Sequence, residues 1–217
     1  MKTLHSLLLP LFWVICTSLS TAFNSQARTG KYRAVIHTDP SHEMVIAFDL
    51  EKGERPVLYY GTQDRGKNWQ QYPEQAKPYR VSDYKGMHTQ FIRLRGLKPA
   101  TKYYFVIKDS RDVSRRLFFR TLPADGRTPL SILAGGDSRS NDAQRRITNQ
   151  LVKLIRPDLV LFGGDFTPYG FSGQWKNWFD DWQLTIGDDG LLVPLLVARG
   201  NHEFSNEMMQ KLWAVPN

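Results

Sequence analysis

Three short stretches of the sequence each end an apolar run with polar residues that could bind a metal ion. The first run ends in Asp137, the second in Asp165 and the third in Asn201-His202-Glu203. Carboxylate and amide oxygens, together with an imidazole nitrogen, are the ligands that hard and borderline divalent metal ions prefer. The residue types therefore predict metal-dependent chemistry at the ends of these runs.

The apolar runs predict the elements that must position these residues. A nearly unbroken apolar run predicts a strand buried on both faces, as in a parallel sheet. We call the polar residues that end each run its tip. The three runs with their tips lie in residues 130–137, 159–165 and 193–203. Ligands of open parallel sheets sit outside the carboxyl ends of the strands, so the three tips should surround one site. Glycine before each polar residue lets backbone and ligand approach closely.

One Gly-Asp pair alone is more typical of a turn or a helix cap than of a metal site. The ordered series is much more specific. Gly136-Asp137, Gly163-Gly164-Asp165 and Gly200-Asn201-His202-Glu203 follow one another as in the calcineurin-like metallophosphoesterases. Together with the segment before it, the chain resembles the purple acid phosphatase branch of that family.

This resemblance implies a role for each matching residue. Asp137 corresponds to a ligand of the first metal ion, Asp165 to the carboxylate that bridges both ions, and Asn201 to an amide ligand of the second. His202 corresponds to a histidine that contacts phosphate and acts as the catalytic acid, and Glu203 is expected to orient it. The implied cofactors are two divalent or mixed-valence ions, such as Fe, Zn or Mn, and the implied substrate is a small phosphate ester.

Two positions depart from the family pattern. Arg139 stands where the wider family often has a histidine ligand and the purple branch a glycine. Its guanidinium could pair with a phosphate oxygen or could simply lie exposed at a helix entry. Pro168 stands where purple enzymes carry an iron-binding tyrosine, and Tyr169, one residue later, is a further candidate metal ligand.

The resemblance also implies more histidine ligands than the chain contains. The 15 residues after His202 (217 − 202) include no histidine. We therefore expect an incomplete metal site in an apparently truncated phosphoesterase domain, residues 129–217.

The segment of residues 30–123 alternates short apolar runs with turn residues, which predicts a small antiparallel sandwich. Within it, Leu97–Phe105 matches the Leu-x-Pro-x-Thr-x-Tyr pattern of fibronectin type III domains, in which the tyrosine, here Tyr103, hydrogen-bonds back to the chain. The segment resembles the N-terminal domain of purple acid phosphatases. The predicted fold is thus an all-β fibronectin type III-like sandwich followed by an α/β metallophosphoesterase domain.

Three helices are predicted in the second domain, over residues 141–156, 172–184 and 204–213. The first carries apolar residues at helical spacing, namely Ile147, Leu151, Leu154 and Ile155. The second carries an aromatic stripe that we assign to the core: Trp175, Trp178, Phe179 and Trp182.

Composition limits the remaining function classes. The 217 residues carry a formal charge of +8, but the basic residues are scattered and no nucleic-acid motif accompanies them, so we expect no nucleic-acid partner.

Residues 1–27 resemble a signal peptide that is too short for a stable membrane span, which predicts a secreted or periplasmic protein; an uncleaved anchor is the alternative. Cys16, the only cysteine, lies in this segment.

The first hypothesis is a hydrolase of phosphate monoesters, an acid phosphatase-like enzyme with a dinuclear metal site. The second is a non-catalytic secreted binding module with a vestigial phosphoesterase half-domain. The third keeps the metal chemistry but makes the substrate a phosphodiester or a nucleotide.

Overall fold

The computed structural model describes residues 28–215, and the predicted signal peptide lies outside the described residues. The strands are β1 (Arg28–Val35), β2 (Glu43–Lys52), β3 (Val57–Gly61), β4 (Glu74–Ala76), β5 (Arg80–Tyr84), β6 (Met87–Arg95), β7 (Lys102–Lys108), β8 (Leu117–Arg120), β9 (Ile132–Gly135), β10 (Leu159–Phe162) and β11 (Pro194–Val197). The helices are α1 (Asp142–Ile155), α2 (Ser172–Trp182) and α3 (Asn206–Trp213). Over residues 28–215, no helix has the length and apolar character needed to cross a membrane.

A seven-stranded sheet of order β5-β6-β2-β1-β11-β10-β9 joins the two halves of the chain. Strands β9, β10 and β11 are parallel to one another, as predicted from their apolar runs. Strand β1 pairs antiparallel with β2 and parallel with β11, where Ala34 is the partner of Pro194. The predicted order of an all-β segment before an α/β segment is confirmed, and the two segments share one continuous sheet.

A second sheet, of order β4-β3-β7-β8, covers one face of the strands from the first half. Alternate side chains of β1 and β2, such as Ala34 and Ile46, pack with Phe105 and Phe119 in this layer. The predicted tyrosine corner is present, because the Tyr103 hydroxyl accepts a hydrogen bond of 2.7 Å from the Lys98 N–H.

The opposite face of the large sheet is covered by α2 and α3. The predicted aromatic stripe of α2 is buried there, with Trp175 and Phe179 fully inaccessible to solvent. Trp213 of α3 packs against Phe179 at a ring-centroid distance of 4.9 Å. This aromatic layer contacts the loops that follow β9 and β10, because the Trp178 Nε1–H donates to Ser138 Oγ and the Trp178 ring packs against Phe166.

The expectation that β9–β11 are buried on both faces is wrong for most of β9 and for one residue of β11, because Ile132, Ala134, Gly135 and Leu196 are exposed. Ile132 and Leu196 are 45% and 41% exposed. The sandwich sheet lies against the first-half strands, and no described element covers the outer side of this part of the sheet.

Helix α1 turns its apolar stripe to solvent. Leu154 is 74% exposed, and Ile147, Leu151 and Ile155 are exposed as well. Its buried residues are Arg145, Asn149 and Val152. Arg145 donates hydrogen bonds of 3.0 and 2.7 Å to Asp181 of α2, so α1 is anchored by ionic contacts as well as by apolar packing.

We expect Leu154→Lys to change the free energy of unfolding by less than about 0.5 kcal/mol, because exposed substitutions are usually that small. Val152→Lys should cost several kcal/mol, roughly 3 or more, since Val152 is 4% exposed and the new charge would be buried. Urea unfolding of both variants tests this orientation of α1. Equal losses in the two variants would contradict it.

Candidate functional site

The three predicted tips meet at one edge of the sheet. The Asp137 N–H donates to the Gly164 carbonyl at 2.9 Å, and the Arg139 N–H donates to the Asp165 carbonyl at 3.2 Å. The third tip joins them because the His202 N–H donates to Asp165 Oδ1 at 2.9 Å. The loops after β9, β10 and β11 are therefore bound directly to one another.

Glu203 connects the second and third tips through hydrogen bonds that its side chain accepts from their backbone N–H groups. Its side chain is fully buried, and its Oε2 accepts hydrogen bonds from the N–H groups of Asp165 at 2.8 Å and Gly200 at 2.7 Å. Its Oε1 accepts a further bond of 2.9 Å from the Phe166 N–H. The expectation that Glu203 orients His202 is wrong, because the ring nitrogens of His202 lie against the Pro168 carbonyl and Arg139 instead of this carboxylate.

Sequence reasoning missed this bracing role. A glutamate after Asn-His resembles a ligand or a partner of the histidine, and nothing in the sequence shows that backbone N–H groups of another loop will surround it. The available signal is weak: a glutamate that follows Gly200 by three residues, at the end of a short Gly-Asn-His segment.

Three backbone positions of the site lie in the left-handed region. Asp137 has φ +52°, Arg139 +25° and Asp165 +56°. Non-glycine residues adopt such angles at a cost of order 1–3 kcal/mol, and they are concentrated at functional sites. The hydrogen bonds between the tips hold these conformations, and the Asp165 side chain is directed to the third tip, where its Oδ1 accepts from the His202 N–H.

Arg139 binds the carboxylate of Asp137. Its Nη2 donates to Asp137 Oδ2 at 2.8 Å, and its Nε donates to Oδ1. These hydrogen bonds lower the pKa of Asp137 below its ordinary value. The pair occupies both carboxylate oxygens that the family pattern would assign to the first metal ion.

His202 is oriented by a backbone carbonyl and by the same arginine. Its Nδ1 lies 2.7 Å from the Pro168 carbonyl oxygen, which only accepts, so Nδ1 carries the proton. Its Nε2 lies 3.1 Å from Arg139 Nη1 and accepts from that donor. The imidazole nitrogen that could exchange a proton with a ligand therefore points to the arginine.

Of the remaining candidates, Tyr169 lines a groove with the site residues and Asn201 lies beside His202 in the chain. Tyr169, 64% exposed, lines an open groove of about 330 Å³ together with Asp137, Arg139 and His202. Asn201 is exposed next to His202, and its side chain makes no hydrogen bond within residues 28–215. The structure thus brings the loops of Asp137, Asp165 and His202 together, places Tyr169 on the wall of the groove and leaves Asn201 outside its lining.

The donors fit part of a metal site. Asp137, Asp165 and Asn201 offer the oxygen ligands that divalent ions such as Mn²⁺ and Mg²⁺ accept. Among the described residues, however, no three His, Cys, Asp or Glu side chains group as ligands of one ion. The described residues therefore supply only some of the ligands of one metal ion. Arg139 competes with that ion for the Asp137 carboxylate, and ligands for two complete coordination shells are lacking among residues 28–215.

We expect Arg139→Gly to raise the affinity of the full chain for Mn²⁺ by roughly fivefold, because it frees both oxygens of Asp137 and removes a like charge. Calorimetric titration with Mn²⁺ measures the change. Arg156→Gly is the matched control, since Arg156 also has a positive φ and forms a two-point pair with an aspartate, Asp189, on another surface. Lower Mn²⁺ affinity in Arg139→Gly would contradict the competition.

Parallel strands with Asp, Asp and Asn-His after their carboxyl ends lie beside a β-sandwich in this chain, the arrangement expected from the resemblance to the metallophosphoesterases. Residues 31–121 match the family model for the purple acid phosphatase N-terminal domain, and residues 130–216 match the model for calcineurin-like phosphoesterases. The chain therefore carries a purple acid phosphatase N-terminal domain followed by a calcineurin-like phosphoesterase segment, which confirms the resemblance seen in the sequence.

Solved structures share this fold. Purple acid phosphatase PPD1 from seeds of yellow lupin (Lupinus luteus) matches with a TM-score of 0.65 and 14% identity, over 88% of this chain and 41% of the lupin chain. The structure of PhoD matches with a TM-score of 0.56 and 16% identity, over 81% of this chain and 39% of that chain. The chain thus spans about two fifths of the length of these relatives. No curated protein sequence matches it.

Proposed function

We propose that this chain belongs to a metal-dependent phosphatase that hydrolyses phosphate monoesters at a dinuclear site. The observation that supports this most is that hydrogen bonds join the loops carrying Asp137, Asp165 and His202 at one edge of the sheet, in a chain that matches the phosphoesterase family. A purple acid phosphatase among the structural relatives favours monoesters as substrates. The signal-like residues 1–27 favour a secreted or periplasmic location.

Asp137, Asp165 and Asn201 would hold the metal ions, which are divalent or mixed-valence Fe, Zn, Mn or similar, with further ligands from outside residues 28–215. Bound ions of this kind supply positive charge for the phosphoryl oxygens and an acidic bound water. Arg139 lies on the same groove, and its planar guanidinium suits two oxygens of a phosphate group.

His202 has the geometry of an acid for the leaving oxygen. The Pro168 carbonyl holds the ring through Nδ1, so Nε2 is the nitrogen that faces the groove. A proton on Nε2 could pass to the leaving oxygen of the ester. Arg139 must first turn from Nε2, and binding of its guanidinium to the phosphate would do this.

A non-catalytic binding module is the second candidate function. The observation that favours it is the Asp137–Arg139 pair, which satisfies a carboxylate that a metal ion would need. In this alternative the β-sandwich half binds a partner, and the phosphoesterase half only supports it.

The test measures hydrolysis of p-nitrophenyl phosphate by the full-length protein, with the further metal ligands present, in the presence of Mn²⁺, Zn²⁺ or Fe²⁺. We expect Asp165→Asn to abolish hydrolysis, while its remaining carbonyl oxygen still accepts from the His202 N–H and preserves the fold. Asp188→Asn, an exposed change with 92% of its side chain accessible, is the matched control. A chain that is inactive with every ion supports the binding module and overturns the proposal.

A second set of substrates separates monoesters from other phosphate esters. Bis-p-nitrophenyl phosphate reports diesterase activity, and a 5′-nucleotide reports nucleotidase activity. Hydrolysis of either in preference to p-nitrophenyl phosphate would replace the proposed monoester specificity.

A further inference from the structure

We propose that the β-sandwich half carries a binding site for a neutral carbohydrate. The site is a groove formed by β3, the short 3₁₀ turn Trp69–Gln71 and the edge strand β4. None of its lining residues lines the groove that contains Asp137. The inference goes beyond the phosphoesterase function and does not depend on it.

Two aromatic rings form one wall of this groove. Tyr59 and Trp69 pack with their ring centroids 4.8 Å apart and their planes inclined by 52°. Both side chains are half-buried, so part of each ring remains open to solvent. Aromatic rings of this kind offer a rigid apolar face beside a polar edge, which suits the C–H face of a sugar ring.

The segment that carries Trp69 is fixed in place. The buried Tyr72 hydroxyl accepts a hydrogen bond from the Arg65 N–H at 3.3 Å and donates to the Gly66 carbonyl at 3.0 Å. Pro73 packs so tightly against Gly61 of β3 that a Cβ at Gly61 would lie 2.8 Å from the proline ring. The aromatic wall is thus held in position before a ligand arrives, which lowers the entropic cost of binding.

The rim of the groove supplies unused polar groups. Gln70, Glu74 and Gln75 are exposed, and their side chains have no hydrogen-bond partner within residues 28–215. Amide groups both donate and accept, and a carboxylate accepts from two hydroxyls. Sugar hydroxyls need this mixture, whereas an apolar ligand would leave these groups unpaired.

The charge of the groove selects among ligand classes. Among residues 28–215, Glu74 is the only charged residue that lines this groove, although the whole chain carries a net charge of +8. Phosphate groups, acidic glycans and nucleic acids would meet no cation there. The volume of about 390 Å³ lies in the range of small-ligand sites.

The neighbouring edge strand does not favour an extended peptide. Strand β4 has three residues, and Glu74 is exposed on it. Short length and an exposed charge are features that protect sheet edges from pairing with another strand. A neutral oligosaccharide therefore fits the groove better than a peptide does.

The experiment measures binding of the full chain to neutral hexasaccharides of glucose, xylose, mannose and N-acetylglucosamine by calorimetry. We expect one of these sugars to bind, and we expect Trp69→Ala to weaken that binding by roughly tenfold or more, as truncation of an aromatic anchor commonly does. Tyr79→Ala is the matched control, because Tyr79 is a 49% exposed tyrosine outside the groove, and it should bind like the parent.

Gln75→Ala tests whether weaker binding could come from misfolding alone. This exposed change should leave the melting temperature unaltered and still weaken sugar binding a few-fold. The proposal is overturned if no neutral sugar binds, if Trp69→Ala binds as the parent does, or if only anionic glycans or peptides bind. Phosphatase activity plays no part in these readouts, so the two proposals fail independently.

Discussion

Replacing Glu203 by alanine is expected to destabilise the chain by roughly 3–5 kcal/mol, because it removes the acceptor of three backbone N–H groups at once. The carboxylate is fully buried and binds the N–H groups of Asp165, Phe166 and Gly200. An unpaired buried donor typically costs about 1–3 kcal/mol, and the donor of Phe166 is itself in a buried contact. Urea unfolding measures the loss.

Two further variants sharpen this prediction. Glu203→Gln keeps one oxygen acceptor but turns an N–H₂ group toward a backbone donor, so its loss should fall between those of alanine and the parent. Glu207→Ala is the control, because Glu207 is an exposed acid on α3 that forms a surface ion pair with Lys211, so this variant should unfold like the parent. If Glu203→Ala unfolds like Glu207→Ala, the bracing role is wrong.

The meeting of the three tips was predictable from the sequence, because each tip follows a strand and the strands are parallel neighbours. Apolar runs specify buried strands, and parallel strands place their carboxyl ends at one edge. This reasoning brings Asp137 and Asp165 together without any knowledge of contacts. The observed bonds from the Arg139 N–H to the Asp165 carbonyl and from the His202 N–H to Asp165 Oδ1 confirm that the tips meet.

The partners of the side chains were not predictable in the same way. Arg139 lies two residues from Asp137, and only the positive φ values of both residues turn the guanidinium back onto that carboxylate. The position of the His202 ring depends on the Pro168 carbonyl, which any residue could provide. Such contacts follow from backbone conformation in loops, where sequence patterns carry little information.

The joining of the two halves was also beyond the sequence. Strand β1 begins the sandwich segment, yet it pairs with β11 of the phosphoesterase segment. A strand pattern shows which side chains face a core but leaves the neighbour of an edge strand unspecified. For helix α1, the spacing of apolar residues predicted the helix correctly. The same spacing did not predict which face is buried, because the apolar residues face solvent.

Gly200→Ala is expected to separate the second and third tips and to cost roughly 2–3 kcal/mol, the range typical of overpacking a close contact. A Cβ at Gly200 would lie 2.1 Å from Asp165 Oδ1 and 2.6 Å from the Asp165 nitrogen. The backbone angle of Gly200, φ −92°, is ordinary for any residue, so the effect comes from space alone. The displaced carboxylate would also lose its bond to the His202 N–H.

Gly173→Ala is the matched control. A Cβ at Gly173 meets nothing within 4 Å, and the residue lies in the first turn of α2, where alanine should stabilise the helix by up to about 1 kcal/mol. Chemical unfolding and Mn²⁺ titration of both variants give the comparison. Gly200→Ala should lose stability and Mn²⁺ affinity together, since one contact supports both the fold of the loops and the position of Asp165. A Gly200→Ala chain that keeps both would mean that the tips need no close approach to form the site.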